Sequence, residues 1–150
     1  MSSEEEWMKL AISEAKLSLA HDDLPIGALV ILNGEVLASC HNEREKSNDP
    51  TAHAEMLAIR EASKKLNSSR LDGAVLVSTL EPCSMCAGAA VLARFERVIF
   101  GTDDPKSGAL GSLYNIGSDP RLNHEFKVTG RVLPDECALL LHEFFEKKRK

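Results

Sequence analysis

Long apolar runs are missing from this 150-residue chain: nothing in it approaches the ~20 consecutive apolar residues needed to cross a bilayer. No membrane role is expected. The opening Met1-Ser2-Ser3-Glu4-Glu5-Glu6 is acidic, where a secretory signal is basic and then apolar, so the protein is expected in the cytoplasm. Cysteine is scarce, with Cys40, Cys83, Cys86 and Cys137. In a cytosolic chain these should be reduced thiols or metal ligands, not a disulfide framework. Positive charge is in deficit, because 18 Lys+Arg against 23 Asp+Glu leave −5. That argues against a generic nucleic-acid coat without excluding nucleic acid. The deficit is uneven: residues 1–60 carry 5 Lys+Arg against 11 Asp+Glu, and residues 121–150 carry 7 against 5. Internal repeats, low-complexity tracts and interdomain linkers are absent too. Residues 1–150 are therefore expected to form one domain of ordinary composition, 43% hydrophobic and 27% charged.

What is present alternates between helical and strand periodicity. Met8, Ala11, Ile12, Ala15 and Leu19 predict an amphipathic helix over residues 4–20. Strands over 28–32 and 35–39 flank Asn33-Gly34, a strong hairpin signal, and the apolar first strand belongs inside a sheet covered on both faces. After a polar loop, Asp49 is expected as an N-cap and Pro50 as the first helical residue, with a helix over 52–66. A buried strand over 74–80, a helix over 83–95 and a strand over 97–100 follow. Residues 101–124 read as one long loop, of a length that is usually functional. Segments 126–128 and 131–133 read as edge strands around Gly130, and Asp135 as the cap of a final helix ending in basic residues 147–150. This order points to an α/β layered domain. Cys40 and Cys137 read as small buried hydrophobes.

One constellation exceeds what packing requires. His53 and Glu55 fall at one helix start, and Pro82-Cys83-Ser84-Met85-Cys86 opens the next. Cys83 and Cys86 are three apart, so they share one face of a helical turn and can grip one ion. With His53 they form three nitrogen-and-sulfur ligands of the kind zinc prefers, leaving a corner for water as catalytic zinc does. Glu55 could move that water's proton. Each part alone has a blander reading. Cys83-x-x-Cys86 could be a dithiol redox pair, or half of a structural site in a non-catalytic zinc module, closed by His41, Cys40 or His124. His53 could be a core or cap histidine, and Glu55 an acid favouring a helix start. A redox pair, however, has no use for His53 or Glu55, and none of the three possible closers has tight ligand spacing.

Taken together, His53-x-Glu55 and Pro82-Cys83-x-x-Cys86 resemble the signature of zinc nucleobase deaminases. The segments His41-Asn42, Asp49-Pro50-Thr51-Ala52-His53-Ala54-Glu55, residues 79–89 and Gly108-Ala109-Leu110-Gly111-Ser112-Leu113 extend the resemblance. With Asn123-His124, Asp135-Glu136-Cys137 and Phe144-Phe145, the chain resembles the bacterial tRNA-specific adenosine deaminase family over nearly its whole length. That resemblance implies a cytidine deaminase-like fold, a three-layer α/β/α sandwich around a mixed sheet of about five strands. It implies one zinc per chain on His53, Cys83 and Cys86, with Glu55 as proton shuttle. It also implies a homodimer that converts adenosine to inosine at the wobble position of a tRNA anticodon arm, with an arginine tRNA as the expected partner. The same resemblance sets Asn42 and Ala54 beside the base, whose edge asks for both a donor and an acceptor. Arg44, Lys106, Arg121, His124 and Phe145 become candidate RNA contacts, with Phe144 and the basic tail nearby. A splayed anticodon loop suits such aromatics. The competing enzyme reading is a free nucleobase or nucleoside deaminase of guanine or cytosine type.

Overall fold

Asn33 and Gly34 both take positive φ, 52° and 78°, as a two-residue type I′ turn requires. The chain therefore folds β1 (Gly27–Leu32) back onto β2 (Glu35–His41), with a bulge where the register slips between Val30 and Ile31. The computed structural model describes residues 3–149; Met1, Ser2 and Lys150, at the ends of the acidic opening and the basic tail, lie outside the described residues. Before the hairpin come α1 (Ser3–Lys16) and a 3-10 turn (Leu17–His21); after it come α2 (Ala54–Leu66), β3 (Val75–Leu80), α3 (Ser84–Ala93), β4 (Arg97–Thr102), β5 (Lys127–Thr129) and α4 (Pro134–Lys148). The five strands form one sheet in the order β2-β1-β3-β4-β5. β1 runs antiparallel to both neighbours, while β3, β4 and β5 run parallel, so the sheet is mixed.

Period-two alternation decides which helix covers which face. Leu29, Ile31, Val77 and Ile99 turn toward Met8 and Ala11 of α1 and Cys137 of α4. Ala28, Val30, Leu76, Val98 and Phe100 turn toward α2 and α3, where Ala54, Ala58, Ala62, Ala87 and Ala90 supply small side chains. The result is the three-layer α/β/α sandwich that the resemblance implied. β1 is buried on both faces, as its unbroken apolar run requires.

Several local expectations are corrected. The first helix gives way at Lys16 to the 3-10 turn, which ends at Asp22 in the left-handed region. Asp49 does not cap α2: its carboxylate accepts the Thr51 N–H (2.8 Å) and hydroxyl (2.7 Å), turning the chain before the helix begins. His53 takes the N-cap position instead, and Pro50 lies outside the helix. Segment 131–133 is not a strand, because Arg131 and Leu133 have φ of 60° and 51°, which a strand cannot accommodate. Leu133, not Asp135, precedes α4, with Pro134 at its start. Cys137 is buried at 1% exposure, whereas Cys40 is only half-buried and donates to Glu61 Oε2 at 3.5 Å. Burial pushes both of those thiols up to about 12, so neither offers a thiolate near neutral pH.

The layers meet most tightly at Gly27, where an added Cβ would fall 2.0 Å from the Ala11 carbonyl oxygen and 2.7 Å from the Ala15 nitrogen. These are backbone atoms and cannot swing aside. Gly27→Ala is expected to cost about 3 kcal/mol, the upper end of the overpacking range, as a lower urea midpoint at unchanged slope.

Candidate zinc-binding active site

Two helix starts meet at the end of the parallel strands, which is where open α/β sheets put their crevices. His53 precedes α2 and Cys83 precedes α3, both in extended conformation (ψ 150° and 178°), and neither side chain caps its own helix. Each is left free to face the other. Cys83 Sγ and Cys86 Sγ lie 3.6 Å and 3.5 Å from His53 Nδ1. Tetrahedral zinc, with bonds of about 2.3 Å to sulfur and about 2.0 Å to nitrogen, asks for a sulfur–nitrogen edge of roughly 3.5 Å. Both sulfur–nitrogen separations therefore match those of a zinc site. Among the described residues no fourth His, Cys, Asp or Glu joins this group. The possible closers are occupied elsewhere: His41 by Glu14 (2.5 Å), Cys40 by Glu61, and His124 by the Phe95 carbonyl (2.6 Å).

The electrostatics suit metal binding and proton transfer. A hydrogen bond from the Cys86 thiol pulls Cys83 down to about 4, and the same contact pushes Cys86 up, so the pair shares a proton that a cation would displace. Glu55, in the first turn of α2, is 4% exposed, and burial pushes its carboxyl up to about 7. A carboxyl at that value takes up and returns protons readily near neutrality.

His53, Glu55 and Cys83 line a cleft of about 630 Å³ whose mouth is ringed by loops. Asn42 and Arg44 come from the loop after β2, Asp104 and Ser107 from the loop after β4, and Phe144 and Phe145 from the end of α4. The two phenylalanine rings meet edge to face at 5.7 Å, and Lys148 pairs with Asp22 across the same opening. Other sequence candidates fall outside the cleft lining. Ala54 is fully buried, at 0% exposure. Lys106 is exposed beside Ser107, and Arg121 is exposed and paired with Asp119 at 2.7 Å. His124 lines a separate hollow with Arg94 and Phe126.

Glu81, directly before Pro82 of the cysteine motif, is a further residue of the cleft that no sequence pattern marks. It is 2% exposed and accepts the Asp104 N–H (3.0 Å), the Leu110 N–H (3.0 Å), the Ser112 N–H (3.1 Å) and the Ser112 hydroxyl (2.5 Å). Burial alone would raise its carboxyl; these donors outweigh burial and hold it below the usual range. A Cβ at Gly108 would fall 2.3 Å from Glu81 Cδ, so only glycine lets the loop close on it. A lone acid after an apolar strand, followed far downstream by a glycine-rich loop, is the only trace of this in sequence.

The family model described as cytidine and deoxycytidylate deaminase zinc-binding region matches residues 1–102. The tRNA-specific adenosine deaminase of Bacillus subtilis (strain 168) is 49% identical over 150 residues, covering 100% of this chain and 93% of the relative. The chain belongs to the tRNA-specific adenosine deaminase family. A solved structure from studies of A-to-I editing by tRNA:A34 deaminases at the wobble position superposes on this deaminase with a TM-score of 0.87 at 42% identity, covering 91% and 99% of the two chains. A guanine deaminase from Nitrosomonas europaea superposes with a TM-score of 0.77 at 27% identity, covering 93% and 83%. The family is a zinc-binding one, in agreement with the fit of the donor triangle. If Glu55 moves protons and does not hold the metal, Glu55→Gln should retain zinc by atomic absorption while deaminase turnover falls by about 10²- to 10⁴-fold. Loss of metal together with activity would instead make Glu55 part of the binding site.

Proposed function

We propose that residues 1–150 act as a single zinc-dependent deaminase domain that hydrolyses adenosine to inosine at the wobble position of a tRNA anticodon. The observation that carries this reading is the His53, Cys83 and Cys86 triangle beside a buried acid, open to a cleft walled by loops. One zinc per chain, on those three residues, supplies a Lewis acid that makes water nucleophilic at neutral pH. Glu55 takes a proton from the attacking water, hands it to the purine ring nitrogen, and then helps the amino group leave as ammonia as the C6–N bond gives way to C6–O. Asn42, 6% exposed and lining the cleft, is the candidate for reading the base, and the buried Ala54 a second. Arg44 and Phe145 at the mouth are suited to phosphate and base-stacking contacts, and the exposed Lys106 and partly buried His124 are outer candidates. We assign the protein to the cytoplasm, with an arginine tRNA as the expected substrate. Purified protein should produce inosine in an arginine tRNA anticodon stem-loop, detected by sequencing the loop before and after incubation. Turnover of free guanine or cytosine with the stem-loop untouched would overturn the tRNA assignment.

We further propose that the protein is a homodimer through the outer face of α3. Leu92 there is 79% exposed and borders, with Met85, Gly88 and Leu122, a largely apolar groove of about 620 Å³. Exposed apolar surface of this kind on a soluble chain suits a second copy. Leu92→Arg should convert a dimer to a monomer in analytical ultracentrifugation; a wild-type protein that sediments as a monomer at micromolar concentration would remove the proposal.

A further inference from the structure

Asp23 is a third buried acid beside the cleft, after Glu55 and Glu81, and neither metal binding nor proton transfer uses it. Its side chain is 1% exposed and accepts the Glu45 N–H at 2.7 Å and the Lys46 N–H at 3.1 Å, with His21 Nδ1 at 2.7 Å. The surrounding cross-links join the same two segments. Ser18 Oγ donates to the Asn42 carbonyl (2.8 Å), the Asn42 N–H donates to the Ile26 carbonyl (3.0 Å), and Asn42 Nδ2 donates to the Leu24 carbonyl (3.2 Å). Asn42 Oδ1 in turn accepts the Arg44 N–H at 3.3 Å. Arg44 is thus held on one side by Asn42 and on the other by the grip of Asp23 on residues 45 and 46. Its exposed side chain rises into the cleft from backbone fixed at both ends.

Among these links only Asp23 carries a full charge, and bonds to an ionised acceptor are the strong ones. Burial would raise the Asp23 carboxyl, but the two N–H groups and His21 outweigh it and keep it below the usual range. The next residue back, Asp22, sits at φ 60° and pairs outward with Lys148 of α4. Two adjacent acids on one turn therefore hold two elements of the cleft lining, the loop after β2 and the end of α4. We propose that Asp23 is a positioning residue for substrate RNA: it fixes the loop that presents Asn42 and Arg44, and so sets affinity for the anticodon, while bond-making is left to the groups on α2 and α3. This rests on the tRNA reading above.

The test uses zinc-loaded Asp23→Ala and Asp23→Asn, each assayed on the anticodon stem-loop with KM and kcat resolved, beside zinc content, thermal midpoint and ¹H–¹⁵N spectra. KM should rise by about tenfold to a hundredfold with kcat within about threefold of wild type, because a loosened loop loses contacts made equally in the bound substrate and the transition state. Zinc should be retained. The Glu45 and Lys46 amide protons should move upfield as their anionic acceptor is lost, while those of Leu110 and Ser112, held by Glu81, stay in place. Displaced Glu45 and Lys46 resonances with unchanged KM would overturn the proposal, as would a loss confined to kcat. Failure of both variants to fold would make Asp23 a folding residue and overturn it too. Wild-type protein that leaves the stem-loop unmodified would sink the tRNA reading and this inference with it; modification by wild type with unaltered KM in the variants would sink the inference alone.

Discussion

Two helices must begin side by side for this site to exist. The starts of α2 and α3 bring a nitrogen and two sulfurs to within 4.8 Å of one another. Each helix start carries the positive end of a helix dipole, so abutting two of them is unfavourable unless something anionic lies between. Thiolate-forming cysteines and the buried Glu55 meet that need. The close approach depends on small side chains, with Ala54, Ala58, Ala87 and Ala90 in the shared core where larger residues would hold the helices apart. Catalytic chemistry and packing are here one arrangement, since the field that stabilises thiolates comes from the same helix ends that the alanines allow to touch.

The walls of the cleft solve a different problem. Neither the loop after β2 nor residues 103–115 after β4 form a helix or a strand of the sheet. Each instead donates N–H groups to a buried carboxylate, Asp23 in the first case and Glu81 in the second. Both carboxylates lie at 1–2% exposure, where an unsatisfied acid would be costly. Backbone donors repay that cost and order the loops at once. The rigid floor of the site thus comes from helices and sheet, and its rim from two anionic anchors. The Asp22–Lys148 pair adds a weaker fastening at the surface, where solvent screens it.

The fold alone does not set the substrate. A guanine deaminase superposes on this chain with a TM-score of 0.77 at 27% identity. A polynucleotide substrate asks in addition for stacking and phosphate contacts around the opening. Phe144, Phe145 and Arg44 are the residues of this chain with suitable chemistry there.

Local chemistry was legible in the sequence because it is written in short spacings. Cys83-x-x-Cys86 puts two sulfurs on one helical turn whatever the rest of the chain does, and Asn33-Gly34 closes a hairpin with no help from elsewhere. The unbroken apolar run of β1 likewise marked a strand covered on both faces. The starting points of α2 and α4 were less legible, since Asp49 serves a turn as well as it serves a cap, and only the surrounding contacts select between them. The run over 131–133 looked like a strand by composition, yet the left-handed backbone at Arg131 and Leu133 follows from the need to turn into α4. Least visible were the tasks of Asp23 and Glu81. Their partners lie 22 to 31 residues away, and the donors are backbone groups, which every residue carries and no sequence pattern marks. Sequence by itself determined the candidate ligands, the candidate proton carrier and the layered α/β class; tertiary structure alone decided how the cleft is held open, because that depends on which backbone N–H groups a buried charge can reach.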